Sequence, residues 1–156
     1  MTANPGRPVT ILMADDDPDD REMTREAFAE AKLANDLRFV EDGVELLDYL
    51  KRRGKYADPA SSPRPGLILL DLNMPRMDGR EALEEIKKDP RFRAIRVVIL
   101  TTSKAEEDIV RSYNLSAASY ITKPVTFEGL VDVIRTMGKY WLEIVELPDN
   151  GEDSGR

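Results

Sequence analysis

The chain has 156 residues, 41% apolar and 34% charged, with a net charge of -7, which is the composition of one soluble globular domain large enough to bury a core. It contains no cysteine and no histidine. That excludes disulfides, thiolate zinc centres and imidazole catalysis, so any site is built from Asp, Glu, Lys, Arg, Ser, Thr or Tyr. The acidic balance argues against nucleic acid as a partner, because that affinity comes largely from Lys and Arg contacts to phosphate. No apolar run approaches the roughly 20 residues of a membrane helix, and Met1-Thr2-Ala3-Asn4-Pro5 has no signal-peptide core. The expectation is a cytoplasmic protein without a membrane partner.

Residues 1–8 read as an N-terminal extension, residues 9–147 as the folded domain and residues 148–156 as a polar, disordered tail. Val9-Thr10-Ile11-Leu12-Met13-Ala14 is a β-rich apolar run that ends at Asp15-Asp16-Asp17. Asp17-Pro18 then supplies an N-cap and a first helical position, with Asp19 and Asp20 in the first turn, where the helix dipole favours acids. Met23, Ala27, Phe28 and Ala31 form the apolar stripe, and the helix fades near Leu33-Ala34-Asn35. A short strand, Leu37-Arg38-Phe39-Val40, precedes a helix opened by Gly43, carrying Val44, Leu47 and Leu50, and stopped at Gly54. Residues 55–66 hold three prolines and two serines, a loop composition.

Leu67-Ile68-Leu69-Leu70 is apolar at four successive positions, the pattern of a strand buried on both faces, and Asp71 stands at its carboxyl end. The loop Met74-Pro75-Arg76-Met77-Asp78-Gly79 leads into a helix with Leu83 and Ile86 that ends before Asp89-Pro90. Val97-Val98-Ile99-Leu100 is another continuous apolar strand, followed by Thr101-Thr102-Ser103 and a charged helix from Ala105 to about Tyr113, whose charges read as a solvated face. Residues 117–122 form a fifth short strand, and Lys123-Pro124 follows it directly. Thr126 caps a last helix with Leu130, Ile134 and Met137 on one face, running into Tyr140-Trp141.

Five strands alternating with five helices predict an α/β fold: one parallel five-stranded sheet covered on both faces, a flavodoxin-like doubly wound (βα)5 domain with strand order 2-1-3-4-5. In that order strands one and three flank the switch point, and chemistry belongs outside their carboxyl ends. Asp15, Asp16, Asp71, Thr101 and Lys123 all fall there. Two carboxylates about 4 Å apart repel by roughly 4 kcal/mol at an effective dielectric of 20, so three of them need protons or a divalent cation. Oxygen-only ligands select a hard ion such as Mg²⁺. A lysine and a threonine beside it suit a tetrahedral anion, and an aspartate in that setting can accept a phosphoryl group.

Asp15-Asp16, Leu70-Asp71 with Met74-Pro75 and Asp78-Gly79, Leu100-Thr101, and Tyr120 with Lys123-Pro124 together resemble the receiver domain of two-component response regulators. The resemblance spans about residues 9–147. Within that family the long 55–66 loop, Leu100-Thr101-Thr102-Ser103 and Tyr140-Trp141 are similar to stand-alone regulators that accompany phytochrome-type histidine kinases. The resemblance implies that Asp71 is the phosphoacceptor, that Asp15 and Asp16 form an acid pocket, and that Asp16, Asp71 and the backbone carbonyl of Asn73 bind Mg²⁺. It further implies that Thr101 and Lys123 hold phosphoryl oxygens, that the Lys123-Pro124 bond is cis, and that Tyr120 turns inward when Thr101 moves. Thr102 stands where alanine is common and bears on kinase access or phosphoryl lifetime. The implied partners are a sensor histidine kinase, a downstream protein and a second copy through the last helix, since the receiver leaves no output domain in the sequence.

Two other readings of the acids fail on particular residues. Asp15 to Glu26 superficially fits a calcium loop, but Asp20 stands where glycine is required. A phosphatase of the haloacid-dehalogenase type carries a second aspartate two residues after its nucleophile, and here that residue is Asn73, so the expectation is a switch and not a turnover enzyme. Asp19 and Asp20 are assigned to the helix N-terminus and left outside the site.

Overall fold

The computed structural model describes residues 9–102, 104–111 and 119–139. Its elements alternate strictly: β1 (Thr10–Ala14), α1 (Pro18–Glu30), β2 (Asp36–Val40), α2 (Gly43–Lys51), β3 (Leu67–Asp71), α3 (Gly79–Lys88), β4 (Arg96–Thr101), α4 (Lys104–Arg111), β5 (Ser119–Thr122) and α5 (Phe127–Met137). All strand pairs are parallel, and the sheet order is β2-β1-β3-β4-β5. This is the predicted doubly wound, flavodoxin-like architecture. The first eight residues, the Tyr140-Trp141 aromatics and the 148–156 tail lie outside the described residues.

The pleat of the central strand builds both cores. Ile68 and Leu70 point into a cluster with Leu46 and Tyr49 of α2 and Leu83 and Ile86 of α3. Leu67 and Leu69 point the other way, among Phe28 of α1 and Val131, Ile134 and Met137 of α5. These four apolar residues of β3 are all buried. At about 1.5–3 kcal/mol for each fully buried aliphatic side chain, they anchor the strand firmly enough to carry Asp71 inside with them.

The helix ends follow their local chemistry. Asp17 accepts from the Asp19 amide at 2.8 Å, with Pro18 at the first helical position. Asp78 and Glu81 form a reciprocal capping box at the start of α3. Thr126 caps α5 through the Gly129 amide. Residues 55–66 contain more structure than their loop composition predicts, since Gly54–Tyr56 and Pro59–Ser61 are single 3₁₀ turns. They are organised by Ser62, which is buried and donates to the Tyr56 carbonyl at 3.0 Å, and by the Tyr49 hydroxyl, which donates to the Pro63 carbonyl at 2.7 Å. Among the described residues no helix is long and apolar enough to cross a membrane.

Candidate functional site

Because every strand is parallel, their carboxyl ends share one edge, and four of the five deliver a site residue there. Asp15 follows β1, Asp71 ends β3, Thr101 ends β4 and Lys123 follows β5. Asp15 and Thr101 are fully buried, and Asp71 is 4% exposed. Asp16, next along the chain, is exposed. Asp15, Asp16 and Asp71 each offer a carboxylate oxygen within 4.8 Å of the others. The amide of Asp17 donates to Asp15 Oδ1 at 2.9 Å, and Arg21 reaches the Asp15 carbonyl at 2.8 Å, so backbone and side chain of Asp15 are both fixed.

Lys123 Nζ stands over this cluster, 3.1 Å from Asp71 Oδ1 and 3.3 Å from Asp15 Oδ2. It also lies 3.0 Å from Asp20 Oδ2 on α1. Burial, opposed by Lys123 and reinforced by Asp15, pushes the Asp71 carboxyl up to about 6. Burial likewise raises Asp15. The carboxylates in turn hold the Lys123 ammonium well above its ordinary range despite its own burial. With three carboxylates around one ammonium and Asp16 beside them, the site carries excess negative charge, and at the buried Asp15 and Asp71 solvent screens it poorly.

This donor set fits a hard divalent cation: three carboxylates converge, all the donors are oxygens, and one lysine cannot balance them. The structure brings Asp15 into that group beside the expected Asp16 and Asp71. Asn73 is exposed, and its side-chain amide donates to Glu106 Oε2 of α4 at 2.9 Å.

Thr101 is buried at the end of β4 with its hydroxyl directed to the Ile121 carbonyl at 3.5 Å, while the Lys123 amide donates to the Thr101 carbonyl at 2.8 Å. Thr102 is exposed, and its amide and hydroxyl donate to Glu106 Oε1 at 2.7 and 3.2 Å. Tyr120 is half-buried against the core cluster beneath α2 and α3. The described residues contain no cis peptide bond, so the expected cis Lys123-Pro124 bond is trans. Trans is the lower-energy isomer by about 0.5–1 kcal/mol at a proline, and from it the lysine already reaches Asp71.

The charged residues of α4 are not a uniformly solvated face either: Glu107 is buried, and Glu106 ties Thr102 and Asn73 together. Asp20 and Glu106 are therefore the residues around the site that reading the sequence missed. Asp20 pairs with Lys123 and Glu106 with Asn73 as well as with the nearby Thr102, and the two long-range pairings leave no local signal.

The family model described as "Response regulator receiver domain" matches residues 11–135. Response regulator Rcp1 of Synechocystis sp. is 39% identical over 148 residues, covering 95% of this chain and 99% of Rcp1. A crystal structure of the Mn²⁺-bound form of Rcp1 superposes with a TM-score of 0.77 over 90% of this chain and 99% of that one. The phosphorylated cyanobacterial phytochrome response regulator RcpA superposes with a TM-score of 0.78 at 38% identity, over 90% of this chain and 97% of RcpA. RPA3017, a response regulator in red light signalling of R. palustris, gives 0.82 at 35% identity, over 91% and 99%. A two-component signalling protein similar to the phytochrome-associated regulators accounts for both the fold and the acid pocket, and the chain belongs to the response regulator receiver family.

Proposed function

We propose that this protein is a phosphorylation switch in which Asp71 accepts a phosphoryl group from the phosphohistidine of a sensor kinase. The observation that carries this reading is the Asp71 carboxylate itself, held at a rigid strand end, gathered with Asp15 and Asp16 and facing Lys123 at 3.1 Å. An Asp71 oxygen bonds to phosphorus as the phosphorus–nitrogen bond breaks and the imidazole departs. Asp16, Asp71 and the Asn73 carbonyl, with Asp15 beside them, would hold Mg²⁺, which would supply positive charge against the incoming phosphoryl oxygens. The Mn²⁺-bound form of Rcp1 supports a divalent ion here. Lys123 pairs with one phosphoryl oxygen. Thr101 takes another once its hydroxyl leaves the Ile121 carbonyl. Tyr120 follows into the space vacated by the Thr101 segment, with Thr102 tuning access to the pocket.

The RcpA and RPA3017 comparisons point to a phytochrome-type kinase as the donor. A receiver spanning residues 9–147 then acts through a protein partner or a second copy of itself, in the cytoplasm where such a kinase would meet it. The phosphatase reading is disfavoured because residue 73 offers an amide, already engaged by Glu106, in place of a leaving-group acid. Incubation with a small phosphodonor and Mg²⁺ should yield one hydroxylamine-labile adduct on Asp71, absent in Asp71→Asn. An adduct that survives this substitution, or many turnovers of a phosphate ester per protein, would overturn the assignment.

A further inference from the structure

We propose that Asp20 is a positioning residue that gives the Lys123 ammonium a partner outside the cation cluster, so that the lysine can yield Asp15 and Asp71 to a divalent cation. The inference rests on the metal-assisted reading of the pocket and adds a residue to it. Asp20 Oδ2 makes the shortest of the three contacts to Lys123 Nζ, at 3.0 Å against 3.1 Å to Asp71 and 3.3 Å to Asp15. Asp20 belongs to α1 and Lys123 follows β5, so the contact spans 103 residues. Its carboxylate makes no bond to its own helix end among the described residues, where Asp17 already serves as the cap. Helix capping therefore does not account for its orientation.

The three carboxylates facing the lysine differ in what else they can do. Asp15 and Asp71 belong to the oxygen cluster suited to a cation, together with Asp16, and Asp20 does not. A cation bound to that cluster and an ammonium resting on the same two carboxylates repel each other, and each weakens the other's hold. Asp20 offers the ammonium a partner outside the cluster, on the half-exposed rim. Beneath the pair, a cavity of about 80 Å³ runs between α1 and α5, lined by Met23, Leu130 and Met137. The lysine stem thus has room to swing without repacking the core.

The effect should run through Lys123, and a double-mutant cycle read by Mg²⁺ titration calorimetry on the unphosphorylated protein isolates it. Asp20→Asn should weaken Mg²⁺ by about tenfold, the low end for a group acting from outside a metal's ligands. Asp20→Glu should restore most of that loss. Lys123→Gln should strengthen Mg²⁺ binding, and adding Asp20→Asn to it should cause little further change. An equal loss in both backgrounds would mean that Asp20 acts by its charge alone, and an unchanged affinity in Asp20→Asn would mean that it does not act on the metal. Either result overturns the proposal while leaving phosphoryl acceptance at Asp71 intact. Failure of the wild-type protein to bind Mg²⁺ would overturn both.

Discussion

Asp71 is 4% exposed and shares its surroundings with Asp15, so ionising it works against the fold. The native carboxyl keeps its proton until about 6, whereas in the unfolded chain it loses it near the ordinary 3.8. Between those values the native state binds more protons than the unfolded state, so stability falls as pH rises through the window and levels off above it. Two pKa units correspond to about 3 kcal/mol. Metal-free Asp71→Asn should therefore be more stable than the wild type by about that amount near pH 7.5, with the difference shrinking toward about pH 4. Urea unfolding of both proteins across that range checks it, and a difference that does not vary with pH would contradict the proposed origin. The same residue shows how far local reading reaches. The apolar run before Asp71 placed it at a buried strand end, but the charges that modify the effect of burial on its pKa, Lys123 lowering it and Asp15 raising it, are ones that only folding brings near.

At the scale of elements, the position of Asp71 depends on how tightly the β3–α3 connection closes. The Gly79 amide donates to the Leu72 carbonyl at 2.9 Å. A Cβ at Gly79 would stand 2.3 Å from the Asp71 carbonyl oxygen and 2.9 Å from Leu72 Cα, both backbone atoms that cannot move without displacing Asp71. Gly79→Ala should cost about 1–3 kcal/mol, as other overpacked sites do, and should also weaken Mg²⁺ because Asp71 shifts. Denaturation and metal titration of that variant test the two consequences, and normal values in both would show that the connection is slack. A second tie across the same loop is the Arg76 guanidinium, bidentate to the buried Asp42 that caps α2. Burial raises Asp42, but the Arg76 guanidinium and the Glu45 and Val44 amides together lower it on balance. Asp78-Gly79 was legible as a turn before a helix. The Arg76 to Asp42 tie was not, since 34 residues separate them.

At the scale of the molecule, the proposal of self-association through α5 can be tested directly. Glu128, Asp132 and Arg135 lie along the exposed side of that helix, and Val125, just before it, is 98% exposed. Light scattering at high concentration, with phosphodonor, should give a mass near twice the 17.6 kDa of one chain. A single monomeric mass with and without phosphodonor would remove the dimer from the account. Should the dimer form, Val125→Asp is expected to lower its fraction, because a charge would then be buried at the contact.

The amino-acid sequence by itself determined the strand and helix alternation, the sheet order and the set of strand-end residues. Apolar periodicity, caps and Gly/Pro punctuation are local, and parallel connections leave few topologies open. It also determined that any metal here would meet oxygen ligands, because the chain has no cysteine or histidine. Only the tertiary structure decided which carboxylates face the lysine, that Glu106 joins Thr102 to Asn73, and that the Lys123-Pro124 bond is trans. These outcomes depend on side chains from distant elements meeting at one sheet edge. Asp20 is the clearest case: as the third residue of a helix it reads as a dipole partner, and the approach of β5 turns it toward Lys123.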